Sequence, residues 1–235
     1  MLDFTRFQAI TFDCYGTLVD WETGIFSALR PILNSHNQSI NDSAALELYG
    51  ELEASAETEP FRTYREVLSE VVRGFGERLG FTPSTAEVHS LADSVANWMP
   101  FPDTVSALKQ LQSRYRLSII SNIDDDLFAT TRPKLEAQFD HVVTAQQARS
   151  YKPSLNNFRI ALQRIGLPPD RMLHVGQSVF HDVIPAQSLG MATVWVNRPS
   201  RRPGVGAVKQ VAGTPDLEVR DLASLAHAAL DAKAS

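Results

Sequence analysis

Apolar positions along this chain follow two rhythms, and the change from one to the other divides the sequence. Phe7–Phe12 is a short, β-rich run closed by an acidic residue, and reads as a buried strand. From about Trp21 to Trp98 no strand pattern follows. Apolar residues recur there at three- and four-residue spacings over Glu22–Leu33, Ser43–Ala56, Tyr64–Leu79 and Ser84–Asn97. That spacing predicts four helices, which Pro60 and Pro83 punctuate. Ser84 followed three residues on by Glu87 has the spacing of a capping box.

Beyond Trp98 the rhythm becomes strand–helix alternation. Helices are predicted over Thr104–Gln112, Leu127–Ala137, Leu155–Ile165 and Val179–Leu189, and strands over Leu117–Ile120, His141–Thr144, Met172–Val175 and Ala192–Val196. Short, wholly apolar strands alternating with helices indicate a parallel sheet covered on both faces. The expected class is α/β, a Rossmann-like core interrupted after its first strand by an all-helical insert. The expected boundaries are 1–18 and 99–235 for the core and 19–98 for the insert. Such an insert would stand over the carboxyl ends of the strands, where open α/β sheets bind ligands. Pro199–Gly213, rich in Arg, Pro and Gly, reads as a surface loop.

Composition narrows the function classes. A length of 235 residues suits a core domain with an insertion, and 43% hydrophobic with 21% charged residues is ordinary globular material. The net charge of −5 leaves no basic footprint for nucleic acid or acidic lipid. The single cysteine, Cys14, excludes an intramolecular disulfide framework and a cysteine-rich zinc site, and its apolar neighbours suggest a packed core thiol. No apolar run approaches the roughly 20 residues of a membrane span. The opening MLDFTRFQAITFD lacks the charged-then-apolar order of a signal peptide. A cytoplasmic protein with neither nucleic-acid nor membrane partners is expected.

Four polar residues, Asp13, Ser121, Lys152 and Asp182, fall at or just beyond predicted strand ends. Singly, each has an ordinary explanation as a turn former, a cap or a solvated charge. Together and in this order they carry a resemblance. Asp13-Cys14-Tyr15-Gly16-Thr17-Leu18-Val19-Asp20, Ile119-Ile120-Ser121-Asn122, Tyr151-Lys152-Pro153 and Gly176-Gln177-Ser178-Val179-Phe180-His181-Asp182 resemble the four motifs of the haloacid dehalogenase-like (HAD) hydrolase superfamily. The helical insert matches the cap these enzymes carry after the first motif.

The resemblance implies a role for each residue. Asp13 would be the nucleophile, and covalent capture would divide one hard step into two. Lys152 would keep Asp13 ionised and stabilise transition-state charge. Ser121, with backbone amides near Tyr15 and Asn122, would hold the substrate's anionic group. Asp182 would orient or deprotonate the water that attacks the ester. Thr17, Gln177 and His181 would complete the substrate pocket.

Departures from the phosphatase pattern narrow the reaction. Phosphatases of this superfamily carry an acid two residues after the nucleophile and another five before the last aspartate, and here those positions hold Tyr15 and Gln177. Losing both weakens a magnesium site and removes the acid that protonates a departing alkoxide. A halide leaves without a proton, and the first motif resembles the L-2-haloacid dehalogenase branch, so no metal or other cofactor is expected. Those dehalogenases commonly place an aromatic residue and an asparagine where this chain has His181 and Val179. They also supply a halide-binding arginine from the early cap helices, where this chain has Tyr49-Gly50-Glu51, with Arg62 and Arg65 following. The run from Asp13 to Ile25 is also similar to a branch that opens azetidine-2-carboxylate, breaking a carbon–nitrogen bond whose nitrogen is already protonated. His181 could hydrogen-bond the departing group in either reaction.

The expected partner is therefore a small carboxylic acid, and enzymes of this kind are often homodimers. Trp21, Trp98 and Trp195 read as core or hinge packing. Asp124-Asp125-Asp126 reads as a helix N-terminus, where acidic side chains suit the dipole.

Overall fold

The computed structural model describes residues 2–198, 207 and 211–231. In chain order the principal elements are β1 (Ala9–Phe12), α1 (Trp21–Ser35), α2 (Asp42–Ala56), α3 (Tyr64–Leu79), α4 (Thr85–Ser94), α5 (Thr104–Gln112), β2 (Arg116–Ser121) and α6 (Asp125–Thr131). They continue with β3 (His141–Thr144), α7 (Ala145–Ala148), α8 (Leu155–Ile165), β4 (Met172–Gly176), α9 (Ile184–Ser188), β5 (Ala192–Val196), β6 (Leu217–Val219) and α10 (Leu222–Asp231). The six strands form one sheet in the order β3-β2-β1-β4-β5-β6, and every pairing is parallel.

The apolar strands are explained by helices on both faces. Alternate strand residues serve two clusters. One gathers Ala9, Ile120, Met172, Phe158 and Ile165, and the other gathers Ile10, Phe12, Ile119, Leu173, Leu108 and Leu225. The second cluster runs on into the helical insert through Leu29, Leu46, Leu68 and Phe75. Burying each such side chain contributes roughly 1.5–3 kcal/mol, so the insert and the sheet share one apolar body.

Register places the chemistry. Phe12 lies beside Ile119 on one side and Val175 on the other, so Asp13, Ser121 and Gly176 all come to the same carboxyl edge. The chain runs from β1 outward through β2 and β3, then returns to begin β4 on the opposite flank of β1. That reversal opens a crevice at the ends of β1 and β4, where doubly wound sheets receive ligands.

Between β1 and β2 the chain makes the four predicted helices. α3 packs on α2 and α4, and α1 packs on α4. Thr63 with Glu66, and Ser84 with Glu87, form reciprocal capping boxes at the starts of α3 and α4. The chain leaves the sheet and returns to it side by side. Val19 bridges Pro100, and the Asp20 amide donates to the Met99 carbonyl at 2.9 Å. Trp21 and Trp98 are buried at these passages, while Trp195 is half-buried and donates its indole N–H to the Gln177 carbonyl at 2.8 Å.

Some elements differ from their predicted form. The helix expected over Leu127–Ala137 is α6 followed by a tighter turn over Arg132–Leu135, because Pro133 has no N–H to continue the ladder. The pattern over Val179–Leu189 is a π-helical turn, Val179–Val183, running into α9. α4 stops at Ser94 and a tight turn completes the stretch to Asn97. β6 and α10 go beyond the predicted elements. Most of the loop expected over Pro199–Gly213 lies outside the described residues. Among the described residues no helix is long and apolar enough to cross a membrane.

Candidate active site

Three charged side chains meet at the crevice. The Lys152 Nζ donates to Asp13 Oδ1 at 2.8 Å, to Asp182 Oδ1 at 2.6 Å and to the Ile120 carbonyl at 3.0 Å. The side chains are only 2% exposed for Lys152, 11% for Asp13 and 1% for Asp182. Burial opposes every one of these charges, and their arrangement decides the outcome. For Lys152 burial is outweighed by two carboxylates, which hold the ammonium's pKa well above the ordinary lysine value. Burial is likewise outweighed at Asp182, where Lys152 and His174 hold the carboxyl well below the usual range. At Asp13 burial wins over the pull of Lys152, and the neighbouring Asp182 adds to it, so its pKa is raised.

Each member is fixed by local structure. The Thr17 hydroxyl donates to Asp13 Oδ2 at 2.7 Å and accepts the Gln177 amide at 2.9 Å. The turn that brings Thr17 back to Asp13 passes through Gly16 at a φ of 93°, which favours glycine. Lys152 is held through its backbone. Its amide donates to Asn122 Oδ1 at 2.7 Å, and Asn122 Nδ2 returns a bond to its carbonyl at 3.2 Å. Asp182 sits in the π-helical turn, directly against Gly176. A Cβ on Gly176 would stand 2.4 Å from the Asp182 Cβ, so only glycine lets the strand end approach so closely.

His174, inside β4, is a member that the sequence reading missed. Its Nε2 lies 3.2 Å from Asp182 Oδ1, and its Nδ1 lies 2.8 Å from the Thr11 hydroxyl. An ionised Asp182 can only accept, so the hydrogen shared with it belongs to Nε2. Inside an apolar strand a histidine reads as core, and nothing local reveals which way its ring turns.

The remaining site residues divide. Tyr15 stands edge-on to Trp98, and its hydroxyl lies 2.9 Å from Thr131 Oγ1. Burial pushes its phenol well up, so it is no acid. Thr17 and Asn122 spend their side chains on Asp13 and Lys152, and so build the site from within. The Gln177 side-chain oxygen would lie 3.2 Å from a Cβ on Gly16, which places it beside the nucleophile's turn. The Ser178 hydroxyl accepts the His181 amide at 3.0 Å and lies 3.1 Å from its Nδ1. Ser121 is 1% exposed, and its Oγ has no hydrogen-bond partner among the described residues. Cys14 is fully buried, and burial pushes its thiol up, as suits a core residue.

The helical insert carries a pair of acids that sequence reasoning also missed, and Glu57 lies within electrostatic reach of Lys152. Glu53 Oε1 accepts the Tyr49 hydroxyl at 2.9 Å and the Tyr64 hydroxyl at 2.5 Å. Glu57, at the end of α2, is half-buried and its carboxylate has no hydrogen-bond or ion-pair partner among the described residues. Burial, then the charge of Glu53, push its pKa well above the usual value, while Lys152 pulls the other way. One signal was available: Ala45, Tyr49, Glu53 and Glu57 recur every fourth residue, so two acids interrupt an apolar stripe.

The arginines considered for a halide lie elsewhere. Arg65 pairs with Asp126 at 2.8 Å and Asp93 at 3.3 Å on the surface, and Arg62 is exposed. The acidic run does more than favour its own helix. Asp124 is buried and accepts the Tyr64 and Arg65 amides, each at 2.9 Å, so it caps α3 and ties the insert to the sheet.

A doubly wound parallel sheet that delivers two carboxylates and an ammonium to its carboxyl edge, beneath a helical insertion, defines an enzyme of the α/β class. The chain belongs to the haloacid dehalogenase-like hydrolase family, whose sequence pattern matches residues 7–190. The (S)-2-haloacid dehalogenase H-109 of Pseudomonas putida is 25% identical over 95% of this chain and 98% of its own length. The glyceraldehyde 3-phosphate phosphatase of Methanothermobacter thermautotrophicus is 37% identical, but over only 42% of this chain and 45% of its own. The L-2-haloacid dehalogenase of Xanthobacter autotrophicus, solved with chloropropionic acid covalently bound, superposes with a TM-score of 0.79 at 20% identity, covering 94% of this chain and 97% of that one. At that identity the likeness shows the fold.

Proposed function

We propose that this protein hydrolyses small 2-substituted carboxylic acids through an ester on Asp13, with 2-haloalkanoic acids as the first substrate class. The observation behind this reading is the bracketing of Lys152 Nζ by Asp13 Oδ1 and Asp182 Oδ1 at 2.8 and 2.6 Å. Asp13 attacks carbon 2 from the side opposite the leaving group. The carbon–oxygen bond forms as the carbon–halogen bond breaks, and halide departs with the electron pair. Lys152 keeps Asp13 ionised against its raised pKa. Water then attacks the Asp13 carboxyl carbon with Asp182 as the orienting base, releasing a 2-hydroxy acid and restoring the carboxylate. The orphaned Ser121 hydroxyl suits the substrate's own carboxylate. The helical insert acts as the cap.

Two features favour displacement without an enzymic acid. Tyr15 is engaged with Thr131, and burial raises its phenol. The gap between the carboxylates is filled by an ammonium, so the donor set as folded is matched to a lysine. Full-length similarity to haloacid dehalogenases supports the halide; phosphatase similarity spans less than half of the chain. A second reading, hydrolytic ring opening of azetidine-2-carboxylate, is favoured by the acidic wall of Glu53 and Glu57.

The test is one turnover in heavy-oxygen water with enzyme in excess. The label is expected in the Asp13 carboxyl group and absent from the product. Label entering product directly would refute the ester.

A further inference from the structure

Parallel strands buried on both faces are ordinarily apolar, yet one row across this sheet is not. Ser118 on β2 is paired with Thr11 on β1, Thr11 with His174 on β4, and His174 with Thr193 on β5. Paired residues of parallel strands face the same way, so the four line one face, and none is more than 1% exposed. The rest of that face belongs to the apolar cluster of Ala9, Ile120, Met172 and Phe158. Valine or leucine would fill such a row with no polar group to satisfy. The row meets the active site at one point, where His174 Nε2 lies 3.2 Å from Asp182 Oδ1.

The imidazole is itself held firmly. Its Nδ1 lies 2.8 Å from Thr11 Oγ1, and its ring stands at 76° to that of Phe158 with the centroids 5.1 Å apart. The other donors to Asp182 are of different quality. The Ser178 amide reaches Oδ2 at 3.3 Å, a long bond. Lys152 reaches Oδ1 at 2.6 Å, but the same ammonium also serves Asp13. An ester on Asp13 removes the charge on that side, so the lysine's hold on the two groups changes between the two halves of the reaction. His174 stands on a strand hydrogen-bonded between β1 and β5, and its place does not change with them.

We infer that His174 is a positioning residue for ester hydrolysis: it keeps the Asp182 carboxylate aimed at the attacking water once Asp13 has lost its charge. The inference rests on the proposed Asp13 ester and assigns His174 to the second half of that reaction alone. In that half the water oxygen bonds to the Asp13 carboxyl carbon, and the bond from that carbon to the substrate oxygen breaks. One water proton passes by way of Asp182 to the departing oxygen. The other is released as the new Asp13 carboxyl group ionises. Attack by Asp13 on the substrate carbon moves no proton and calls on neither Asp182 nor its imidazole. A histidine that merely filled the core would affect both halves alike or neither.

Rapid-quench mass spectrometry, with 2-chloropropionate and with L-azetidine-2-carboxylate, reads how fast the Asp13 peptide gains and loses its adduct. His174→Leu is expected to slow adduct loss about tenfold or more, the worth of one hydrogen bond to a charged group, and to leave adduct formation within about threefold. His174→Gln, whose amide nitrogen can stand where Nε2 stood, should recover most of the lost rate. A thermal melt verifies that each variant is folded. Should His174→Leu fail to fold, Thr11→Val decides: nearly the same shape, it removes the hydroxyl beside Nδ1 and should slow adduct loss by about threefold. In folded His174→Leu, unslowed adduct loss, or formation slowed as much as loss, overturns the inference. So does His174→Gln as slow as His174→Leu, or, in the second case, an unslowed Thr11→Val. The Asp182→Asn protein separates the two claims. Adduct that persists there while His174→Leu clears it normally sinks the positioning role alone. No adduct in any variant with either compound sinks the ester, and the positioning role with it.

Discussion

The sheet edge and the helical wall above it hold similar groups in opposite condition. At the edge, two buried carboxylates share one ammonium, and each is further fixed by a hydroxyl, an amide or an imidazole. On the wall, two carboxylates have tyrosine hydroxyls on one and, among the described residues, no hydrogen-bond or ion-pair partner on the other. A finished ionic cluster suits chemistry, because groups already in place need no reorganisation in the transition state. An unfinished one suits recognition, because the ligand completes it. The edge is therefore where the reaction is expected to be decided, and the wall where the substrate is chosen.

The largest effect should come from the edge. Asp13→Asn is expected to lower turnover by about four orders of magnitude or more, with little change in thermal stability, because an amide cannot serve as the nucleophile. Asp182→Asn should slow ester hydrolysis more than ester formation, so that rapid-quench mass spectrometry shows adduct building on the Asp13 peptide. Normal turnover in Asp13→Asn would end the distinction between the two regions.

Lys152→Met tests the edge's completeness. It leaves two buried carboxylates uncompensated, and a loss of about 3–5 kcal/mol in denaturant unfolding near neutral pH is expected. With the ammonium gone, protonation relieves the repulsion, so the variant should become more stable as pH falls toward about 5. A stability that falls with pH there would show that the pair is not what the lysine offsets.

The pH profile reads the edge in the intact protein. Asp13 must be ionised to attack, and burial raises its pKa, so kcat/KM should fall on the acid side at a pH above the ordinary aspartate range. Lys152 is held above the ordinary lysine value, so no falling limb belonging to it is expected near about pH 10. An acid limb at or below the ordinary aspartate value would contradict the burial argument.

Two smaller effects belong to the wall. Asp124→Ala removes the cap that ties α3 to the sheet and should cost about 1–3 kcal/mol, with KM rising more than kcat falls. Ser84→Ala breaks the capping box of α4, away from the site, and should cost about 1 kcal/mol with kinetics unchanged. If Asp124→Ala and Ser84→Ala behave alike, the latch has no part in positioning the wall.

Much of this was legible in one dimension. Short apolar runs between helical periods announced a doubly covered parallel sheet, since burial on both faces removes the need for polar alternation. Asp13, Ser121, Lys152 and Asp182 stood out by their order, at or just beyond predicted strand ends, and by the motifs around them, and the fold brings Asp13 and Asp182 onto Lys152. The acidic run at Asp124 was legible only in part: it begins a helix, and its first member also caps a different one. His174 was invisible, because a strand residue's neighbours lie on other strands. Glu53 and Glu57 carried no reading in the sequence, because what surrounds the end of α2 is set only by packing.

What the sequence by itself determined is the class of fold, the order of its elements and the identity of the charged groups at the sheet edge, because periodicity and strand ends are local properties of the backbone. The tertiary structure alone decided the partners and the charge states. Whether a carboxylate is held low, as at Asp182, or pushed up, as at Glu57, depends on burial and on which distant side chains surround it, and those are set only by the folded chain.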